Sequence, residues 1–197
     1  MILIRKYIIY ILIIIAIAAI FTYVSIPIYK NITFTKNDIW TVSASPGDPK
    51  RSIYTRAYVS VNGLLALSKP ESAYFSADRD IEDITLNGST CYLMSGHDIQ
   101  SASVSPRWWS ITVYGKDGYL IESTEKQYSY NSENIIYDPS GKFEIYLNNM
   151  PSSKVANWLK TPIEEVFSVV LRVYQPGEEF FSNLKRVDLP IIEKVEC

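Results

Sequence analysis

Few residues in this chain could do chemistry. His97, in "SGHDIQ", is the only histidine of 197 residues, so a serine–histidine–aspartate arrangement could run only through it. Asp98 follows it directly, too close in sequence to be assumed its orienter, and His97 reads as a surface residue. Zinc sites want several histidine or cysteine ligands, which one histidine and the distant Cys91 and Cys197 do not supply. The acids of "SADRDIEDI" (Asp78, Asp80, Glu82 and Asp83) offer the oxygens that calcium takes, but read first as a solvated acidic loop. Glycoside cleavage needs two carboxyls across a cleft; Glu144 is the one acid set among tyrosines, and no partner is evident. "GKDG" at 115–118 is a hairpin turn, not a phosphate-cradling loop. No catalytic residue, metal or cofactor is expected.

A binding face is better supported than a reactive centre. The run "VFSVVLRVY" at 166–174 reads as a strand, yet carries an arginine, a side chain almost never buried without a partner. Alternation puts Phe167, Val169, Leu171 and Val173 on one face and Ser168, Val170, Arg172 and Tyr174 on the other. Trp109, Ile111 and Val113 likewise oppose Ser110, Thr112 and Tyr114, while Phe143, Ile145 and Leu147 oppose Glu144, Tyr146 and Asn148. The apolar faces are core. The tyrosine-rich faces are either an ordinary solvent side, with Arg172 and Glu144 as a cross-strand pair, or a curved surface lining a cleft. Asn157 and Trp158 precede the last of these strands as a loop, either a structural plug or the rim of that cleft. The ligand-binding candidates are therefore Arg172, Tyr174, Tyr114, Glu144, Tyr146, Asn157 and Trp158.

The elements that must position them follow from periodicity. Period-two segments are predicted at 73–78, 89–96, 108–115, 134–138, 142–148 and 166–174, separated by "NGS", "GKDG" and "DPSG" turns. "IIYDPSGKFEIYL" and "SITVYGKDGYLI" read as hairpins. Ahead of them, residues 52–67 have helical spacing of Ile53, Ala57, Val61, Leu64 and Leu65, with Ser52 as cap and the apolar face laid on the domain. Short, evenly spaced strands without intervening helices predict an all-β, antiparallel sandwich or barrel over residues 52–197. Residues 30–51, with "SPGDP", read as a tether.

Residues 7–29, "YIIYILIIIAIAAIFTYVSIPIY", are uncharged and long enough to cross a bilayer, with tyrosines towards both ends. Residues 1–29 are expected to form an N-terminal tail and a retained transmembrane helix, rather than a cleaved signal peptide with its shorter apolar core. The short basic tail with Arg5 and Lys6 favours a cytoplasmic start with the rest sent outward, which in a bacterial protein means an inner-membrane anchor and a periplasmic domain. A net charge of -2 and a pI of about 5.5 give no basic surface for nucleic acid. Cys91 and Cys197 could pair or remain two isolated thiols; the terminal place of Cys197 argues against a well-held bridge.

"RWWSITVYGKDGYLI", "IIYDPSGKFEIYL", "ANWLK" and "FSVVLRVYQP", in that order, resemble the bacterial domain of unknown function 1214. "DPKRSIYTRAYVSVNGLLAL", "SAYFSAD" and "LNGSTCYLMSG" are similar to the entry segment of its short, stand-alone, membrane-anchored members, so the likeness covers residues 48–195. Lys160 stands where the family's Asn-Trp-Leu-Pro loop has proline. Ser123, Thr124, Gln127 and Tyr128 replace an Asn-Pro and Arg-Tyr pattern common in relatives. The resemblance implies a jelly-roll-like β-sandwich and brings no settled activity. The expected function is a non-catalytic envelope module that binds a ligand, a glycan or a partner protein. An envelope hydrolase acting on a glycan or ester, through Glu144 or His97, and an accessory subunit of a membrane assembly are the alternatives.

Overall fold

A computed structural model describes residues 2–43, 47–62, 66–99, 108–151 and 156–197. Helix α1 (Ile2–Thr33) contains the window Ile4–Ile26, long and apolar enough to span a membrane, and none of that window is buried against the rest of the chain. It is therefore not a core helix.

Ten strands follow among the described residues, in two sheets. The larger holds β1 (Thr35–Asn37), β2 (Trp40–Ser43), β3 (Ser72–Ala77), β5 (Trp108–Gly115), β6 (Ser129–Asn131) and β9 (Phe167–Tyr174), in the order β1-β2-β3-β9-β5-β6. The smaller holds β4 (Cys91–His97), β7 (Lys142–Asn148), β8 (Asn157–Lys160) and β10 (Ile191–Val195), in the order β10-β4-β7-β8. Apolar inner faces from both sheets share one core. Trp109 lies against Phe143 at 5.4 Å between ring centroids, and Tyr92 against Phe167 at 5.8 Å, each pair bridging the sheets. The predicted alternation holds along β9, where every second residue from Phe167 is buried. All strand pairs are antiparallel except β7 and β8, which run parallel, so the expected purely antiparallel arrangement is corrected at that edge.

Three further expectations change. The stretch read as a tether contains the β1–β2 hairpin. Trp40 and Val42 are each 1% exposed, and the Trp40 indole N–H donates to the carbonyl of Pro190 at 2.7 Å. Two prolines and a glycine around Asp48 masked a short strand whose core partners are remote in sequence. The segment 134–138 contributes only a bridge between Tyr137 and Phe143, while β6 lies just upstream. Its turn is nonetheless as read: Asp138 Oδ1 accepts from the backbone N–H groups of Ser140 and Lys142, and Gly141 adopts φ +81°. The Ser140 hydroxyl, donating to the same oxygen at 2.7 Å, and then those backbone bonds hold the Asp138 carboxyl below its ordinary range.

The third concerns α2 (Ile53–Asn62). Ser52 caps it, its hydroxyl accepting from the N–H of Thr55 at 3.2 Å. Of its expected apolar face, Ile53 points to solvent at 83% exposure and Ala57 is half-buried. Instead Thr55 is buried, and its hydroxyl meets that of Tyr29 at 2.7 Å, turning the helix towards the end of α1. Leu64 and Leu65 lie outside the described residues. Between β9 and β10, a short helix α3 (Glu178–Ser182) and a 3-10 turn (Leu184–Arg186) place Phe180 and Leu184 in the core. Cys91 and Cys197 form a disulfide with Cα atoms 5.4 Å apart, against the sequence reading. Pairing of β10 with β4 sets Val195 opposite Cys91 and brings the last residue within reach.

Trp40→Ala tests the incorporation of the hairpin. Truncating a fully enclosed tryptophan is expected to cost about 3–5 kcal/mol in denaturant unfolding; a tether residue would leave the midpoint unmoved.

Candidate functional site

The outer face of the larger sheet carries the candidate site. Central strand β9 pairs with β3 on one side and β5 on the other, so Tyr74, Arg172 and Ser110 form one row across the sheet. The next row towards the strand end is Ser72, Tyr174 and Trp108. Ser110 and Thr112 are small and lie beneath larger neighbours, 6% and 5% exposed, leaving a floor over which Arg172 extends. Arg172 Nη2 donates to the Tyr114 hydroxyl at 2.8 Å. Its guanidinium carbon lies 5.4 Å from the Tyr114 ring centroid and 5.9 Å from that of Tyr74. A planar cation between two aromatic rings is the arrangement that arginine favours over lysine.

Arg172 thus meets rings rather than a carboxylate: among the described residues no ion pair includes it. Tyr74 is itself fixed, its hydroxyl accepting from the N–H of Leu67 at 2.8 Å. Beside this cage, Trp108 and Tyr174 lie with ring centroids 4.8 Å apart, and with Leu67, Glu71 and Gln175 they line an open groove of about 410 Å³. That volume falls within the range of small-molecule sites.

Two features hold the groove's polar rim. The Glu71 carboxylate accepts from the Ser68 hydroxyl at 2.7 Å and from the Ser68 N–H at 3.1 Å, and these bonds keep it below the usual carboxylate range. Gln175 has φ +47°, a left-handed conformation uncommon for its residue type, held by its N–H donating to the Glu71 carbonyl at 2.8 Å. The strand therefore breaks at the groove and aims Gln175 along its edge.

Of the predicted candidates, Arg172, Tyr114 and Tyr174 are brought together here. Glu144 and Tyr146 are not: they lie on β7, on the outer face of the other sheet, so Arg172 and Glu144 cannot pair. Glu144 instead pairs with Lys142 at 3.1 Å on an exposed surface, and the Tyr146 hydroxyl donates to the Glu196 carbonyl at 3.5 Å. Similar alternation in two strands cannot reveal that they belong to opposite sheets. Asn157 and Trp158 form strand rather than loop, in β8 at the edge of the smaller sheet. Asn157 is 1% exposed; its amide donates to the carbonyls of Ile136 and Glu144 and accepts from the N–H of Ile136. The Trp158 indole donates to the Asn148 carbonyl at 3.1 Å.

Reading the sequence missed Tyr74, Trp108, Glu71 and Gln175. Tyr74 was visible in the alternation of "AYFSAD", and Trp108 in the doubled tryptophan, of which only one can face the core. His97 is exposed at the end of β4, and the Asp98 carboxylate accepts from the Trp109 indole at 3.0 Å. Asp80, buried in the acidic loop, spends one carboxylate oxygen on the N–H groups of Glu82 and Ile84. Tyr137 is pushed up to about 12, by burial first and then by the charge of Asp98.

The sequence model of the family of proteins of unknown function DUF1214 matches residues 71–178, more than half of the chain. The chain belongs to the DUF1214 family. The matched DUF1214 segment runs from Glu71 past Gln175 and so holds every groove and cage residue except Leu67, whereas α1, the β1–β2 hairpin, α2 and β10 lie outside it. Among solved structures, the VPA0106 protein from Vibrio parahaemolyticus is similar, with 24% identity and a TM-score of 0.58 over 73% of this chain and 34% of that one. An uncharacterised protein from Burkholderia cenocepacia is 16% identical, with a TM-score of 0.47 over 90% of this chain and 42% of that one. The chain thus spans about a third of the Vibrio protein, and their likeness is one of fold. No curated protein matches.

Asn157→Ala is expected to lower stability by about 2–4 kcal/mol, because buried backbone groups lose their partners. Arg172→Ala should cost about 1–2 kcal/mol, the worth of two half-buried cation–ring contacts and one hydrogen bond. Equal losses in chemical denaturation would place Arg172 in the scaffold too.

Proposed function

We propose that this protein is a membrane-anchored, periplasmic, non-catalytic module of the bacterial cell envelope that holds a sugar-like ligand on the outer face of its larger sheet. The observation that carries the reading is the groove between Trp108, Tyr174, Glu71 and Gln175, set beside an arginine caged by two tyrosines. Sugar rings present C–H faces that lie well on the negative face of an aromatic ring, and hydroxyls that carboxylate and amide groups bind. Glu71 supplies an ionised acceptor, Gln175 both donor and acceptor, and Arg172 a guanidinium for an acidic substituent.

The non-catalytic part is supported by how the reactive candidates are used. Glu144 is ion-paired in the open, unlike a general acid held in an apolar pocket, and Asp98 is engaged with Trp109 rather than with a catalytic histidine. The jelly-roll description remains part of this reading, supported by two facing sheets and the family resemblance. The periplasmic orientation is supported by the Cys91–Cys197 disulfide, since such bonds persist in oxidising compartments.

Two measurements test the reading. Titration of the detergent-solubilised protein with oligosaccharides of neutral, amino and acidic sugars should give a saturable change in tryptophan fluorescence, weakened at least tenfold by Trp108→Ala and by Arg172→Ala. Because Glu71 is depressed, its ionised form, and any affinity depending on it, should persist as pH falls through the ordinary carboxylate range and be lost only below it. A panel without any saturable response would sink the ligand assignment. For orientation, protein from intact cells should run faster on non-reducing gels than the Cys91→Ser variant; equal mobility, with both thiols open to alkylation, contradicts the periplasmic assignment.

A further inference from the structure

The first turn of α2 presents an unusual surface. Ile53 is 83% exposed and Tyr54 51% exposed, and they are surrounded in sequence by Lys50, Arg51 and Arg56, all exposed. No acid occupies that first turn, although the positive end of a helix dipole favours one. In water this combination leaves apolar area uncovered.

Its position relative to α1 explains it. The Ser25 hydroxyl reaches Tyr54 Oη at 3.5 Å, Tyr29 Oη lies 2.7 Å from Thr55 Oγ1 and 3.2 Å from Ser52 Oγ, and the Tyr29 and Tyr54 rings are 5.6 Å apart. Ser25 lies inside the span window, which ends at Ile26. At about 1.5 Å per residue, Tyr29 stands only about 4–5 Å beyond that end, and the polar headgroup layer is about 5–8 Å deep on each side. The beginning of α2 is thereby held at headgroup depth.

We infer that the α2 start is a second membrane contact, in which Ile53 and Tyr54 enter the bilayer interface and Lys50, Arg51 and Arg56 face anionic lipid headgroups. Apolar residues beside basic ones are the composition of interfacial helices, and tyrosine favours this depth. Such a contact would fix the tilt of the sandwich over the membrane, where α1 alone would leave it free to swivel. The inference rests on reading α1 as a membrane span.

Depth-dependent quenching tests both separately. The full chain, its native cysteines held in the disulfide, is reconstituted into vesicles of phosphatidylcholine with or without phosphatidylglycerol. Single Ile11→Cys, Ile53→Cys and Tyr119→Cys variants carry a fluorophore, at mid-span, at the α2 start and at a hairpin tip exposed on the sandwich. Nitroxide placed deep in the acyl chains should quench the label at 11, whereas headgroup nitroxide should quench the label at 53 at least threefold more than that at 119. With phosphatidylglycerol, Lys50→Glu, Arg51→Glu and Arg56→Glu combined should remove most of the quenching at 53. Deep quenching at 11, with 53 no different from 119, overturns the inference and leaves the anchor standing; absence of quenching at 11 removes the anchor itself. Quenching at 53 indifferent to both phosphatidylglycerol and charge reversal overturns the anionic-lipid assignment.

Discussion

The structure depends on the burial of two apolar sheet faces against each other. Trp109 on β5 meets Phe143 on β7, and Tyr92 on β4 meets Phe167 on β9, so neither sheet can shift register by one residue without sending a row of large side chains into water. Each such side chain is worth about 1.5–3 kcal/mol when fully buried, which makes the inward set of β9 effectively non-negotiable. The outward set follows by geometry. Arg172 and Tyr174 face away from the core because Leu171 and Val173 face into it.

That constraint leaves the two outer faces free to differ. On the smaller sheet Lys142 and Glu144 pair in the open, an arrangement whose energetic weight is small. On the larger sheet a guanidinium lies between tyrosine rings, over buried serine and threonine side chains, next to a groove whose rim is braced by hydrogen bonds. The rim is an investment in geometry, since a glutamine with positive φ and a carboxylate capped by its own turn contribute little to the core. Both lie within the segment shared with the DUF1214 family, while α1 and α2 lie outside it.

Those outer parts are integrated rather than appended. The β1–β2 hairpin extends the larger sheet immediately after α1, and Trp40 ties it to the irregular segment that leads into β10. The end of the chain is then closed onto β4 by the disulfide. Tyr58 on α2 packs on Phe34 with ring centroids 5.0 Å apart, and burial together with the charge of Asp78 raises its hydroxyl above the ordinary tyrosine value. The passage from apolar helix to sandwich is thus a packed junction, with aromatic contacts on both sides of it.

What the sequence determined alone was whatever depends on neighbours along the chain. A run of uncharged residues, the period-two alternation of β3, β5, β7 and β9, the Asp138 turn and the Ser52 cap are all local, and each was legible. Tertiary structure decided everything requiring knowledge of which strand lies beside which. Identical alternation in β7 and β9 could not disclose that Glu144 and Arg172 occupy opposite sides of the molecule. A four-residue strand inside a Pro- and Gly-flanked stretch has too few residues to declare a period, so Trp40 was placed only by its distant partners. The groove itself is built from residues 67, 71, 108, 174 and 175, which meet because β3 and β5 both pair with β9. Local preferences encode direction and burial, whereas adjacency arises from the pairing of segments far apart in the chain.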